Sequence, residues 1–133
     1  MAIDRADLPR IADALQPLGL EYRHAAGVDM FVESRQRSRS VIRLVFVREK
    51  VRPHYIEAVP DFSDASRTDD GLVIASIADL LRMKLTSLRL RDKTHIIDMD
   101  AVGLITPEIE TALPQQLRDR LQQVREEERQ SGR

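Results

Sequence analysis

Val41-Ile42-Arg43-Leu44-Val45-Phe46-Val47 is apolar at every position but one. A run without alternating polar positions suits an interior β-strand covered on both faces, and Arg43 is its only charge. Residues 20–23, Val28–Glu33 and roughly 54–58 are further strand-like runs, separated by Ala25-Ala26-Gly27 and by residues 34–40. The stretch from Leu20 to Val59 therefore predicts a small sheet.

Upstream of it, Leu8, Ile11, Ala12, Leu15 and Leu18 recur at helical spacing, with Asp4 or Asp7 as N-cap and Gly19 as the stop. Pro9 sits comfortably near the helix start if Asp7 caps and costs a backbone hydrogen bond if Asp4 does. Downstream, residues 60–71 are rich in Asp, Ser, Pro and Gly and read as a surface loop, followed by one more short strand at 72–75. Everything after that is helical. Ser76-Ile77-Ala78-Asp79 has the form of a capping box ahead of Ile77, Leu80, Leu81, Leu85 and Leu88. A second helix spans about 92–102 and ends at Gly103; Thr106-Pro107-Glu108 starts a last one, whose buried stripe is Leu113, Leu117, Leu121 and Val124. Residues 125–133 read as a frayed, solvated tail. The fold class expected is α/β in the broad α+β sense: a small mixed sheet, an N-terminal helix and a helical C-terminal segment.

With 133 residues and 42% hydrophobic content, the chain can close one core, so the expectation is a single domain: helix plus sheet over 1–75, helical segment over 76–128, tail over 129–133. The formal net charge of -1 gives no global field to attract nucleic acid or membrane. Any basic site must be local. The absence of cysteine excludes a disulfide framework and thiolate metal sites, and His24, His54 and His95 share no ligand spacing. Charges at Asp4 and Arg5 argue against a signal peptide, and no apolar stretch approaches a membrane span. The location these features predict is cytoplasmic.

The residue that asks for an explanation is Lys84. Helical phase places it between Ile77 or Leu80 and Leu81 or Leu88, inside the apolar stripe. A lone buried ammonium is costly, so Lys84 either pairs with a carboxylate, Asp92 or Asp98 being nearest in sequence, or reaches a solvated cleft where it faces phosphate. The plainer alternative is a lysine that snorkels from a helix edge. Arg89, Arg91, Asp92, Lys93, His95, Asp98 and Asp100 crowd the next helix junction, where cations can converge on a polyanion or simply form a solvated face. His95, beside Ile96 and Met99, reads as a hydrogen-bonded core histidine. Asp98 and Asp100 are two apart on a helix and point in different directions, which makes them a poor metal pair. Arg35, Arg37 and Arg39 form a basic loop that can grip a nucleic-acid backbone, and no aromatics interleave it.

Asp79-Leu80-Leu81-Arg82-Met83-Lys84-Leu85, followed by Arg89-Leu90-Arg91-Asp92-Lys93-Thr94-His95-Ile96-Ile97-Asp98, resembles the C-terminal signature of minimal nucleotidyltransferase proteins, with the AbiEii-type toxin family the nearest group. Members carry a lysine in a helix after the sheet, then an arginine, a Lys-Asp or similar pair and a further aspartate. Lys84, Arg89, Asp92 and Asp98 match those positions. Ala26-Gly27-Val28-Asp29-Met30 and Gly103-Leu104-Ile105-Thr106-Pro107-Glu108 are similar to segments of uncharacterised bacterial relatives, so the resemblance covers nearly the whole chain.

The resemblance implies a nucleotide or phosphate site built from Lys84, Arg89, Asp92, Lys93 and Asp98. It also implies a catalytic core of a Gly-Gly or Gly-Ser turn and an Asp-x-Asp strand holding two metal ions, and neither motif is present. In relatives that acidic strand leads into the segment resembling Ala2-Ile3-Asp4-Arg5-Ala6-Asp7-Leu8. The chain thus resembles a truncated nucleotidyltransferase-like fold, with Met1 an internal methionine or the product of a deletion. A third family carboxylate is expected on the 41–47 strand, where Arg43 stands; a cation there repels Mg²⁺. Two-metal phosphoryl transfer needs closely spaced acidic oxygens, so the expectation is binding without catalysis, with Mg²⁺ and a nucleoside triphosphate only if an upstream strand or a partner completes the site. The alternative is a toxin-antitoxin or RNA-associated binding module working through the basic loop. A sheet lacking its first strand also has an open edge, which favours a protein partner or homodimer.

Overall fold

The computed structural model describes residues 1–33 and 40–132. It divides into two compact units, Met1–Val51 and Arg52–Arg133.

In the first unit, β1 (Ala2–Ile3) is followed by α1 (Leu8–Leu15), β2 (Leu20–Ala25), β3 (Val28–Glu33) and β4 (Val41–Phe46). The sheet order is β1-β4-β3-β2; β1 runs parallel to β4 and the other pairs are antiparallel, so the sheet is mixed. Both candidate caps before α1 are used. Asp4 accepts from the Ala6 N–H at 3.0 Å and caps a 3-10 turn at Arg5–Asp7, and Asp7 then takes the N-cap position of α1 without a side-chain bond. Pro9 falls in the first turn of α1, where a missing N–H costs nothing. Gly19, at φ 79°, ends the helical segment in the left-handed region.

Leu8, Ile11, Ala12 and Leu15 of α1 lie on Phe31, Ile42, Leu44 and Phe46. Phe31 is wholly buried; that contributes about 2–3 kcal/mol. The expectation that the β4 strand is covered on both faces does not hold: Val41 and Arg43 are exposed, because α1 lies on the opposite face, that of Ile42, Leu44 and Phe46. The outer edge of β4 is occupied by β1, with Val45 N–H on Met1 O at 3.0 Å and Val47 N–H on Ile3 O at 2.9 Å. The terminal ammonium of Met1 donates to Arg43 O at 2.7 Å.

The second unit holds a hairpin of β5 (Ser66–Arg67) and β6 (Val73–Ile74), then α2 (Ile77–Ser87), α3 (Leu90–Ala101), α4 (Pro107–Ala112) and α5 (Gln115–Gln130). Residues 54–58 are not a strand, contrary to their pattern. Pro53 and Pro60 flank them, Tyr55 closes a turn onto Arg52 O at 3.0 Å, and Ile56 packs against the helical core. The core is Leu81, Leu85, Ile96, Met99, Ile105, Leu113, Leu117, Leu121 and Val124.

The expected last helix is two. Pro114 cannot donate into a continuous helix, so the chain breaks at Leu113, which is extended and buried, and Pro114 becomes the N-cap position of α5. Nor does the chain fray at 125. The Arg125 guanidinium, bound to Asp100 and Glu110, ties the last turns down, and helix continues to Gln130. Among the described residues no helix is long and apolar enough to cross a membrane.

Candidate functional site

Ser76 accepts from the Asp79 N–H at 3.1 Å and starts α2, which keeps Leu81 and Leu85 on the core side through its length. At its end Leu88 adopts φ 47°, a left-handed conformation that costs a non-glycine residue about 1 kcal/mol. Leu88 is held there by packing against the core. Arg89 returns to extended backbone and α3 begins at once, so the chain between the helices is only Leu88 and Arg89. This tight link brings the end of α2 against the start of α3.

Asp92 occupies that corner and is 3% exposed. One carboxylate oxygen, Oδ2, accepts from Ser87 Oγ at 2.7 Å, the Arg89 N–H at 3.0 Å and Arg89 Nε at 3.1 Å. The other, Oδ1, faces Lys84 Nζ at 3.9 Å. Burial by itself pushes the Asp92 carboxyl up; the bonds from Ser87 and Arg89, together with the Arg89 charge, outweigh it and hold the group below its ordinary value.

Lys84 is neither a core residue nor a snorkelling one. Its side chain is 17% exposed, and Nζ lies 2.7 Å from Nδ1 of His95, one turn beyond Asp92 on α3. An ammonium only donates, so in this contact Lys84 gives the hydrogen bond and the ring nitrogen receives it. The expectation of a core histidine is corrected: His95 is exposed, because it lies toward the Lys84 side of α3 while Ile96 and Met99 take the core side.

The proposed phosphate-facing residues therefore separate. Lys84, Arg89 and Asp92 come together, with His95 added. Lys93 turns to α5 and pairs with Glu127 at 2.8 Å. Asp98 is exposed, and no side-chain bond reaches it among the described residues. Asp100 is taken by Arg125, with contacts of 2.8 and 2.9 Å. Arg35, Arg37 and Arg39 lie outside the described residues. Among those that are described, no group of acidic and histidine side chains is arranged to hold a metal.

Two features escaped the sequence. Arg120 of α5 donates to Leu85 O at 2.7 Å and Thr86 O at 2.8 Å, a cation on the carbonyl end of α2 that fixes the corner from behind. The second is a carboxylate in the sheet unit, on β3 rather than at the Arg43 position of β4. Asp29 shares a face with buried Phe31, and its Oδ1 accepts from the Tyr22 hydroxyl and meets His24 Nδ1 at 2.9 Å. Burial works to raise the Asp29 carboxyl, and the Tyr22 and His24 bonds hold it below its ordinary value. The same bond, then burial and the Asp29 charge, push the Tyr22 phenol up. Nearby, Arg5 stacks 3.9 Å over the Phe46 ring and grips Glu49 with two bonds of 2.8 Å. The parity of Asp29 with Phe31 was the available signal.

No protein-family model, curated protein or solved structure matches this chain.

Proposed function

We propose that the chain is a nucleotidyltransferase-like domain that binds the phosphate groups of a nucleotide at the α2–α3 corner and does not itself transfer a nucleotidyl group. The observation that carries the reading is the setting of Lys84. Its ammonium is mostly covered, has only a long contact to a carboxylate, and stands beside an Arg89 guanidinium whose side chain is 70% exposed. Lys84 and Arg89 share one acid, Asp92, and the only other partner of Lys84 among the described residues is His95, which leaves donors for an anion. Binding without transfer is supported by the sequence, which has no Gly-Gly or Gly-Ser turn followed by an Asp-x-Asp strand.

A second reading has its own support. Asp92 Oδ2 is satisfied within the chain three times over, as expected of a clasp that only joins two helices. Calorimetric titration with ATP separates the two. The phosphate reading expects saturable binding that Lys84→Gln weakens at least tenfold and Lys93→Gln leaves unchanged. ATP affinity that is equal in folded Lys84→Gln and wild type, or no binding at all, leaves only the clasp. Incorporation of label from α-labelled nucleotide into protein or tRNA would overturn the non-catalytic part.

A further inference from the structure

Arg118 and Arg125 stand seven residues apart on α5 and line one cleft, yet their surroundings differ. Arg125 has two carboxylates, Asp100 and Glu110, each at 2.8 Å. Arg118 has none. Its Nε is buried without a hydrogen-bond partner, and its Nη groups, which are not buried, also lack one among the described residues. The side chains that might have served are engaged. Glu110 accepts from Arg125 and Gln122, Asp119 accepts from Gln115, and Thr111 Oγ1 donates to Pro107 O at 2.8 Å.

The cleft has a volume of about 440 Å³, with Ile105 and Pro107 as apolar wall and Glu110, Thr111, Arg118 and Arg125 as polar wall. A guanidinium with one edge buried is partly stripped of water, and its remaining planar donors match the two oxygens of a carboxylate. Glu110 in the wall disfavours the second charge of a phosphate over the single charge of a carboxylate.

We propose that the α4–α5 cleft is a binding site for a monocarboxylate with a short apolar chain, its carboxylate on the Nη groups of Arg118 and its chain along Ile105 and Pro107. The inference is independent of the phosphate reading, which concerns the α2–α3 corner.

The test follows arginine Nε–H resonances of the whole protein by ¹H–¹⁵N NMR, with the Arg118 signal assigned by its loss in Arg118→Lys. Butyrate and a tripeptide with a free C-terminal carboxylate are titrated at constant ionic strength, against butyramide and the peptide amide. A saturable shift of the Arg118 signal with either acid and with neither amide is the expected result, and the tighter acid identifies the source of the carboxylate. In Thr111→Glu an internal carboxylate fills the cleft, and the response to both acids is expected to fall at least tenfold. An Arg118 signal that does not move, that moves equally with chloride or phosphate, or that responds undiminished in Thr111→Glu overturns the proposal.

Discussion

Replacing Asp92 with alanine tests the α2–α3 corner most directly, because each group it leaves behind has a different fate. The Arg89 N–H loses its acceptor at the start of α3, a cap worth about 1 kcal/mol. Ser87 Oγ keeps its bond to Met83 O at 3.1 Å, so its loss is small, roughly 0.5 kcal/mol. The Arg89 guanidinium returns to water at little cost. Lys84 is left mostly covered with His95 alone, which costs about 1–2 kcal/mol rather than the full penalty of an isolated buried charge. The sum is about 3 kcal/mol. Urea unfolding followed by far-ultraviolet circular dichroism, which reports the helical unit, measures it. Adding Lys84→Met to Asp92→Ala removes the stranded ammonium and should restore about 1 kcal/mol. The carboxyl is held low in the folded state, so its contribution is complete above the ordinary value of 3.8 and disappears as pH falls through the lower folded value. The contribution of the carboxylate to the wild-type advantage should therefore narrow as pH falls below about 4. An Asp92→Ala loss under about 1 kcal/mol, or a double variant no more stable than the single, would refute the account of Lys84 and Asp92 as coupled.

Arg125→Met removes the partner of Asp100 and Glu110 and should cost about 2–3 kcal/mol in thermal or urea unfolding, with the loss shrinking below about pH 4 because the bond and charge of Arg125 hold Asp100 low. Asp29→Asn should bring the Tyr22 phenol down toward the ordinary 10.0, visible in spectrophotometric titration of the two tyrosines; an unchanged curve removes the Tyr22–Asp29 bond from the account. Gly19→Ala should cost about 1 kcal/mol from backbone strain at φ 79°, since a Cβ there meets nothing within 4 Å; a neutral substitution in urea unfolding would show that the turn is not left-handed.

What the sequence determined is local. The bounds of β3, Gly19 as the stop of the first helical segment and the Ser76 and Thr106 caps depend on contacts within a few residues, so the order of residue types carries them. The inward lean of Lys84 was also legible, from helical phase alone. Its partner was not. Asp92 and Asp98 are both on the next helix, and only the two-residue link through Leu88 and Arg89 sets the rotation that turns Asp92 inward and leaves Asp98 in solvent. Tertiary placement likewise decided that Ile56 packs on helices instead of entering a sheet, that Lys93 belongs to Glu127, and that Arg120 closes the end of α2. The last two depend on groups far apart in the chain brought within about 3 Å, where a hydrogen bond or ion pair exists or does not. Residue type fixes which partner a group can accept; only the packing of the helices fixes which one it meets.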